Sequence, residues 1–205
     1  DDGFGVGKTY VLVYTAVGAP LTGLGLASTR DLVSFLRFAG AGAGDPCAGQ
    51  LDFALAFGAS QTGRFLRQLL YLDFCHDEDG RLALDGVLPH IAGSRSIETN
   101  WRFGQPSYNA ADSLSCTFPY TDADQTDPFT GRTDGVLHRA RQHSQLPKVM
   151  HTNSSCEYWA SQAALVHTSI DGQEDAPIPD NVRVYHFAGT QHVPAPVSLA
   201  AAVHI

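Results

Sequence analysis

Leu51-Asp52-Phe53-Ala54-Leu55-Ala56-Phe57 runs directly into Gly58-Ala59-Ser60-Gln61-Thr62-Gly63-Arg64. The first seven residues are nearly all apolar, which predicts a strand buried on both faces of a sheet. From residue 62 to 73, Phe65, Leu66, Leu69, Leu70 and Leu72 recur at helical spacing. Strand, sharp turn and helix in this order form the context of a nucleophile elbow. Such a turn holds a serine in strained backbone above the sheet, and small residues around it let strand and helix approach. Gly58 stands two before Ser60. Two after it stands Thr62, with Gly63 one further on, so the chain departs from strict G-x-S-x-G. The plainer alternative is a strand-to-helix turn in which Ser60 merely caps the helix.

Outward from this turn, the pattern alternates. Residues 10–14 (Tyr-Val-Leu-Val-Tyr) read as a strand, 28–38 as a helix, and 40–49 as a Gly/Ala loop. Residues 85–92 read as a buried strand, 136–143 as a short helix, 147–152 as a strand and 182–187 as the last strand. The apolar tail, 197–205, reads as the start of a helix. Five strands alternating with helices predict an α/β fold with a mostly parallel sheet flanked by helices. Residues 94–135 break the pattern, being polar but carrying Trp101, Phe103, Tyr108, Phe118, Tyr120 and Phe129. They are expected to form an insertion folded over one face, in the manner of a lid. The whole of 1–205 is expected to be one domain.

Composition excludes several classes. The net charge is −8, from 13 Lys+Arg and 21 Asp+Glu, which disfavours a nucleic-acid partner. No apolar run is long enough for a transmembrane segment. Four cysteines, at 47, 75, 116 and 156, include no C-x-x-C pair and are expected to be free thiols. Asp122-x-Asp124-x-x-Asp127 hints at calcium, but Thr126 and Thr133 occupy positions where an EF-hand loop needs ligands. These aspartates are better read as turn caps. Gly5-Val6-Gly7-Lys8-Thr9 mimics the end of a phosphate loop but leads into a strand, not a helix.

A serine nucleophile needs a base, and the base needs an orienting carboxylate. Glu157 lies just past the strand at 147–152, and His192 just past the strand at 182–187. With Ser60, all three fall at one edge of the sheet, in the chain order serine, carboxylate, histidine. Rival carboxylates are Asp171, Asp175 and Asp180, and rival histidines are His151 and His186. The oxyanion would receive the backbone N–H of Gln61. A second donor normally comes from a loop after an earlier strand, which would place it upstream of residue 1. Arg95, Trp101, Arg102 and Phe103 follow a strand end. They are candidates either for lining a substrate cleft or for pinning the insertion to the body.

With these residues in hand, the chain resembles a poorly characterised family of α/β-hydrolase-domain proteins. The resemblance rests on Gly58-Ala59-Ser60-Gln61-Thr62-Gly63-Arg64 and Leu88-Pro89-His90-Ile91-Ala92-Gly93. Further matches are Asn100-Trp101-Arg102-Phe103-Gly104-Gln105-Pro106, His151-Thr152-Asn153-Ser154-Ser155 with Glu157-Tyr158-Trp159, and Phe187-Ala188-Gly189-Thr190-Gln191-His192. It implies an α/β-hydrolase fold and a serine hydrolase with Ser60, His192 and Glu157 in the matching positions, acting on a small-molecule ester with no metal or organic cofactor. Members are longer at both ends, so the chain is expected to be a fragment lacking the first strands, from a soluble cytoplasmic or secreted protein. The alternative is a non-catalytic ligand-binding domain on the same fold.

Overall fold

A computed structural model describes residues 3–8, 10, 14–15, 17–18, 23–97 and 117–193. The elements in order are α1 (Gly25–Phe38), β1 (Leu55–Ala59), α2 (Gln61–Tyr71), β2 (Gly86–His90), β3 (Gln125–Thr126), β4 (Thr133–Asp134), β5 (Lys148–Ser154), α3 (Ser155–Ala160) and β6 (Val182–Phe187). Strands β1, β2, β5 and β6 form one parallel sheet in that order. Because all four run the same way, the loops after β1, β5 and β6 leave from one edge, where α/β sites assemble.

The core lies between this sheet and the helices. Leu66, Leu69 and Leu70 on one face of α2 pack with Leu26 of α1 and with Leu84, Val87, Val149 and Val182. Ala54 and Ala56 also turn to this side. Small residues there let α2 approach β1 closely. The alternate residues of β1 do not share this cover: Leu55 is 79% exposed and Phe57 68%. With Met150, they line an apolar hollow of about 520 Å³ on the opposite face. The expected burial of this strand on both faces is therefore met on only one face among the described residues. The period-2 alternation of side chains decides which residues are covered.

Other boundaries shift as well. The predicted strand at 10–14 falls largely outside the described residues, as does the apolar tail at 197–205. The expected helix at 136–143 is a run of turns ending in a short 3-10 helix, Ala140–Gln142. Its start is pinned by the N–H groups of Val136 and Leu137, which donate to the carbonyls of Thr121 and Asp122, and its later bonds are mostly of the tight three-residue kind, from His138 to Gly135, Gln142 to Arg139 and His143 to Ala140.

Of the insertion, residues 98–116 lie outside the described set, and with them Trp101, Arg102, Phe103 and Tyr108. The described remainder carries the antiparallel pair β3–β4 and is tied to α2. Arg67 donates to the Tyr120 carbonyl at 2.7 Å, and the Tyr71 hydroxyl to Asp134 at 2.9 Å. The three aspartates at 122, 124 and 127 do not converge. Asp122 pairs with His151, Asp124 with His138 and Arg141, and Asp127 caps a turn at Phe129 and Thr130. No helix among the described residues is long and apolar enough to cross a membrane.

The tightest approach between β1 and α2 is at Gly58, where an added Cβ would lie 2.5 Å from the Thr62 carbonyl oxygen. Gly58→Ala is expected to cost about 1–3 kcal/mol through overpacking. Gly42→Ala, where an added Cβ meets nothing within 4 Å, is expected to be near neutral. Urea denaturation of the two variants checks the contrast.

Candidate active site

Ser60 joins β1 to α2 with φ 56° and ψ −116°. A non-glycine residue held there costs about 1–3 kcal/mol and persists only when its surroundings fix it. Here they do. The Ser60 N–H donates to the His90 carbonyl at 2.9 Å, and the Arg64 N–H donates to the Ser60 carbonyl at 2.9 Å.

Thr62, the departure from the usual pattern, braces the same turn. Its Oγ1 accepts the Ala59 N–H and donates to the Ala59 carbonyl, both at 2.8 Å. The close approach that a glycine two after the serine would allow is made instead by Gly63, whose missing Cβ would stand 2.8 Å from the His90 carbonyl oxygen.

The Ser60 Oγ lies 2.9 Å from His192 Nε2. His192 stands in the loop after β6. Gly189 turns that loop at φ 73°, and its N–H donates to Ser155 Oγ at 2.8 Å. Thr190 Oγ1 donates back to the Phe187 carbonyl at 2.7 Å. The other ring nitrogen of His192, Nδ1, makes a short hydrogen bond to Glu157 Oε1. A carboxylate accepts, so Nδ1 carries the proton and Nε2 is free to accept from the serine hydroxyl.

Glu157 belongs to the first turn of α3. Ser154 caps that helix in a capping box: its Oγ accepts the Cys156 N–H at 3.1 Å, while its own N–H donates to Glu157 Oε2 at 3.1 Å. Ser154 Oγ also hydrogen-bonds Oε2. The Glu157 side chain is 1% exposed and that of His192 35%, so the line runs from a buried carboxylate to the surface. Burial pushes the Glu157 carboxyl up, but hydrogen bonds from Ser154 and His192 outweigh it and hold it below its ordinary value of 4.5.

Three of the rival residues are engaged elsewhere. His151 pairs with Asp122, both buried, at 2.9 Å. His186 packs against Tyr158 with ring centroids 5.0 Å apart. Asp171 caps a turn through Ser169 and Gln173. Arg95 donates to Gln162 and to the Ala160 carbonyl at the end of α3, at 3.2 and 2.8 Å. Those contacts fix it to the body. Gln61 opens α2, so its N–H is the first of the donors that a helix N-terminus leaves without an internal acceptor.

Ser154 was not singled out from the sequence, although Ser154-Ser155-Cys156-Glu157 has the S-x-x-E signature of a capping box. The brace at Thr62 carries no such signature.

The sequence model of one protein family, described as an alpha/beta hydrolase domain, matches residues 9–204. No curated protein and no solved structure matches the chain.

Because the Glu157 carboxyl is held below 4.5 when folded, its ionised form stabilises the fold above that pH. The contribution is lost as pH falls through the folded value. The stability gap between the wild type and Glu157→Gln is therefore expected to favour the wild type at pH 7 and to shrink steadily below about pH 4.5. Urea midpoints of both proteins between pH 7 and pH 3 check this.

Proposed function

The chain belongs to an alpha/beta hydrolase domain family, and from that premise we propose that it is a serine hydrolase cleaving a carboxylic ester. Ser60 is the nucleophile, His192 the general base and Glu157 the group that orients His192. The observation that carries this reading is the continuous hydrogen-bonded line from Ser60 Oγ through His192 to Glu157. Its three members follow three different strands, β1, β5 and β6, at one sheet edge.

The reaction follows from the proton positions. Ser60 Oγ attacks the ester carbonyl as its proton passes to His192 Nε2. The ring becomes an imidazolium, which the ionised Glu157 stabilises. That is the chemical use of a carboxyl held below its ordinary value: it remains an anion at neutral pH. Negative charge grows on the carbonyl oxygen beside the Gln61 N–H. The positive end of the α2 dipole points the same way. Collapse breaks the bond to the alcohol oxygen, which takes the proton from His192 and leaves. Water then attacks the acyl group on Ser60, giving its proton to His192. The acid departs, and the proton returns to Ser60.

Partial exposure of His192 suits this sequence, because ester and water must both reach Nε2 while Glu157 stays dry. Ser154 acts through Glu157: with its two donors to one carboxylate oxygen, the other oxygen is left aimed at the ring.

A fluorophosphonate probe is expected to label Ser60, located by peptide mass spectrometry, and Ser60→Ala is expected to lower kcat on a responsive ester by roughly 10⁴–10⁶. Turnover retained in Ser60→Ala, or a wild type that neither labels nor hydrolyses any of an ester panel, would sink the assignment. The second result would favour a ligand-binding domain.

A further inference from the structure

Away from Ser60, at the other end of α2, Asp73, His76 and His143 bring a carboxylate and two imidazole nitrogens within 4.8 Å of one another. His76 Nδ1 lies 2.6 Å from Asp73 Oδ1, and His143 Nε2 lies 2.9 Å from Oδ2. The two rings stack with centroids 3.7 Å apart, and the other ring nitrogen of His76 donates to the Gln145 carbonyl at 2.9 Å. We propose that this cluster binds a divalent transition-metal ion, Zn²⁺ in the first instance, through Asp73, His76 Nδ1 and His143 Nε2.

The donor set selects the metal class. Two imidazoles with one carboxylate suit zinc and its neighbours, whereas calcium and magnesium prefer all-oxygen shells. The set also matches three protein ligands with a fourth position open to water. His76 and Asp73 are almost fully buried, while the His143 side chain is 23% exposed, so the open position faces solvent past His143. The bond from His76 to the Gln145 carbonyl is the kind of outer contact that fixes a metal-binding imidazole, leaving Nδ1 as the inward ligand. Zinc bonds of about 2.0–2.2 Å set tetrahedral ligand atoms about 3.3 Å apart. The present contacts of 2.6 and 2.9 Å would open by about half an ångström, and one ring would turn out of the stack so that both nitrogens face the ion. In opening, the ion takes the place of the protons that the two imidazoles share with Asp73, and those protons pass to solvent.

The backbone at Asp73 points the same way. Asp73 has φ 60°, and its N–H and that of Phe74 donate to the carbonyls of Leu70 and Leu69. This is a Schellman end to α2, with Asp73 at the left-handed position where glycine is usual. A carboxylate there also sits against the negative end of the helix dipole. A bound cation would offset that charge. It would join the end of α2 to the turn after Ala140–Gln142, distant in sequence, and make no contact with Ser60.

The test uses Zn²⁺ alone on the full 205-residue chain. Equilibrium dialysis is expected to find one Zn²⁺ per chain in the wild type and in His138→Ala, and a loss of at least tenfold in affinity in His143→Ala and Asp73→Asn. Zinc at a hundredfold excess over Kd is expected to raise the wild-type Tm by about 5–10 °C. If the variants do not fold, the wild type alone decides: Zn²⁺ is expected to protect His143 from modification by diethylpyrocarbonate, read by mass spectrometry. No stoichiometric zinc, zinc that stays bound in both variants, or unprotected His143 overturns the proposal.

Discussion

Ser60 at φ 56° is stable only because backbone contacts converge on it from strand and helix alike. Its N–H is held by the His90 carbonyl, so the end of β2 supports the turn after β1. Gly63 rests against that same carbonyl, so α2 can start immediately above the sheet. Gly58 then admits the first turn of α2 onto β1. Each contact requires the others: a side chain at either glycine would push the helix away and release the serine from its strained conformation. The parallel register of β1 with β2, pairing Gly58 with Pro89 and Ala59 with His90, is what brings the supporting carbonyl into place. Sheet alignment and serine geometry are thus one constraint.

The carboxylate at residue 157 is glutamate for a reason of reach. It must satisfy Ser154 within its own helix turn and also touch His192 from a different loop. A capping box already uses a glutamate at this position, because the longer side chain bends back to the N-cap. The same bend leaves Oε1 pointing outward to the ring while Oε2 stays on Ser154. Burial would ordinarily neutralise such a group. The hydrogen bonds from both sides reverse that tendency, so the carboxyl remains charged.

Much of this was legible in the sequence because local pattern and chemistry coincide. A continuous apolar run before a glycine-flanked serine marks a strand and a turn. Glu157 and His192 stand just past the C-terminal ends of two later strands, the positions where a parallel sheet gathers its reactive side chains. The family match over residues 9–204 agrees with that fold. Features set by distant partners were not legible. The segment after Gly135 reads as a helix, yet its start is pinned to Thr121 and Asp122 and its later bonds are mostly of the tight three-residue kind. Alternation in β1 is hidden because Leu55 and Phe57 on one face and Ala54 and Ala56 on the other are all apolar. Nothing in the spacing of 73, 76 and 143 suggests that these residues meet, since Asp73 and His76 close the end of a helix and His143 arrives from another segment.

Both ends of α2 therefore carry something beyond packing. Its eleven residues span about 16 Å, from the serine turn to the Asp73 cluster. Leu66, Leu69 and Leu70 bury one face, and Arg67 fastens the helix to the Tyr120 carbonyl. A helix so held cannot slide without disturbing both ends, and a displacement of about 1 Å at a reacting atom is enough to cost about a hundredfold in rate. Anchoring at the far end consequently also holds the position of Ser60. Hydrogen bonds from the two histidines to Asp73 already provide an anchor, and an ion in their midst would tighten it.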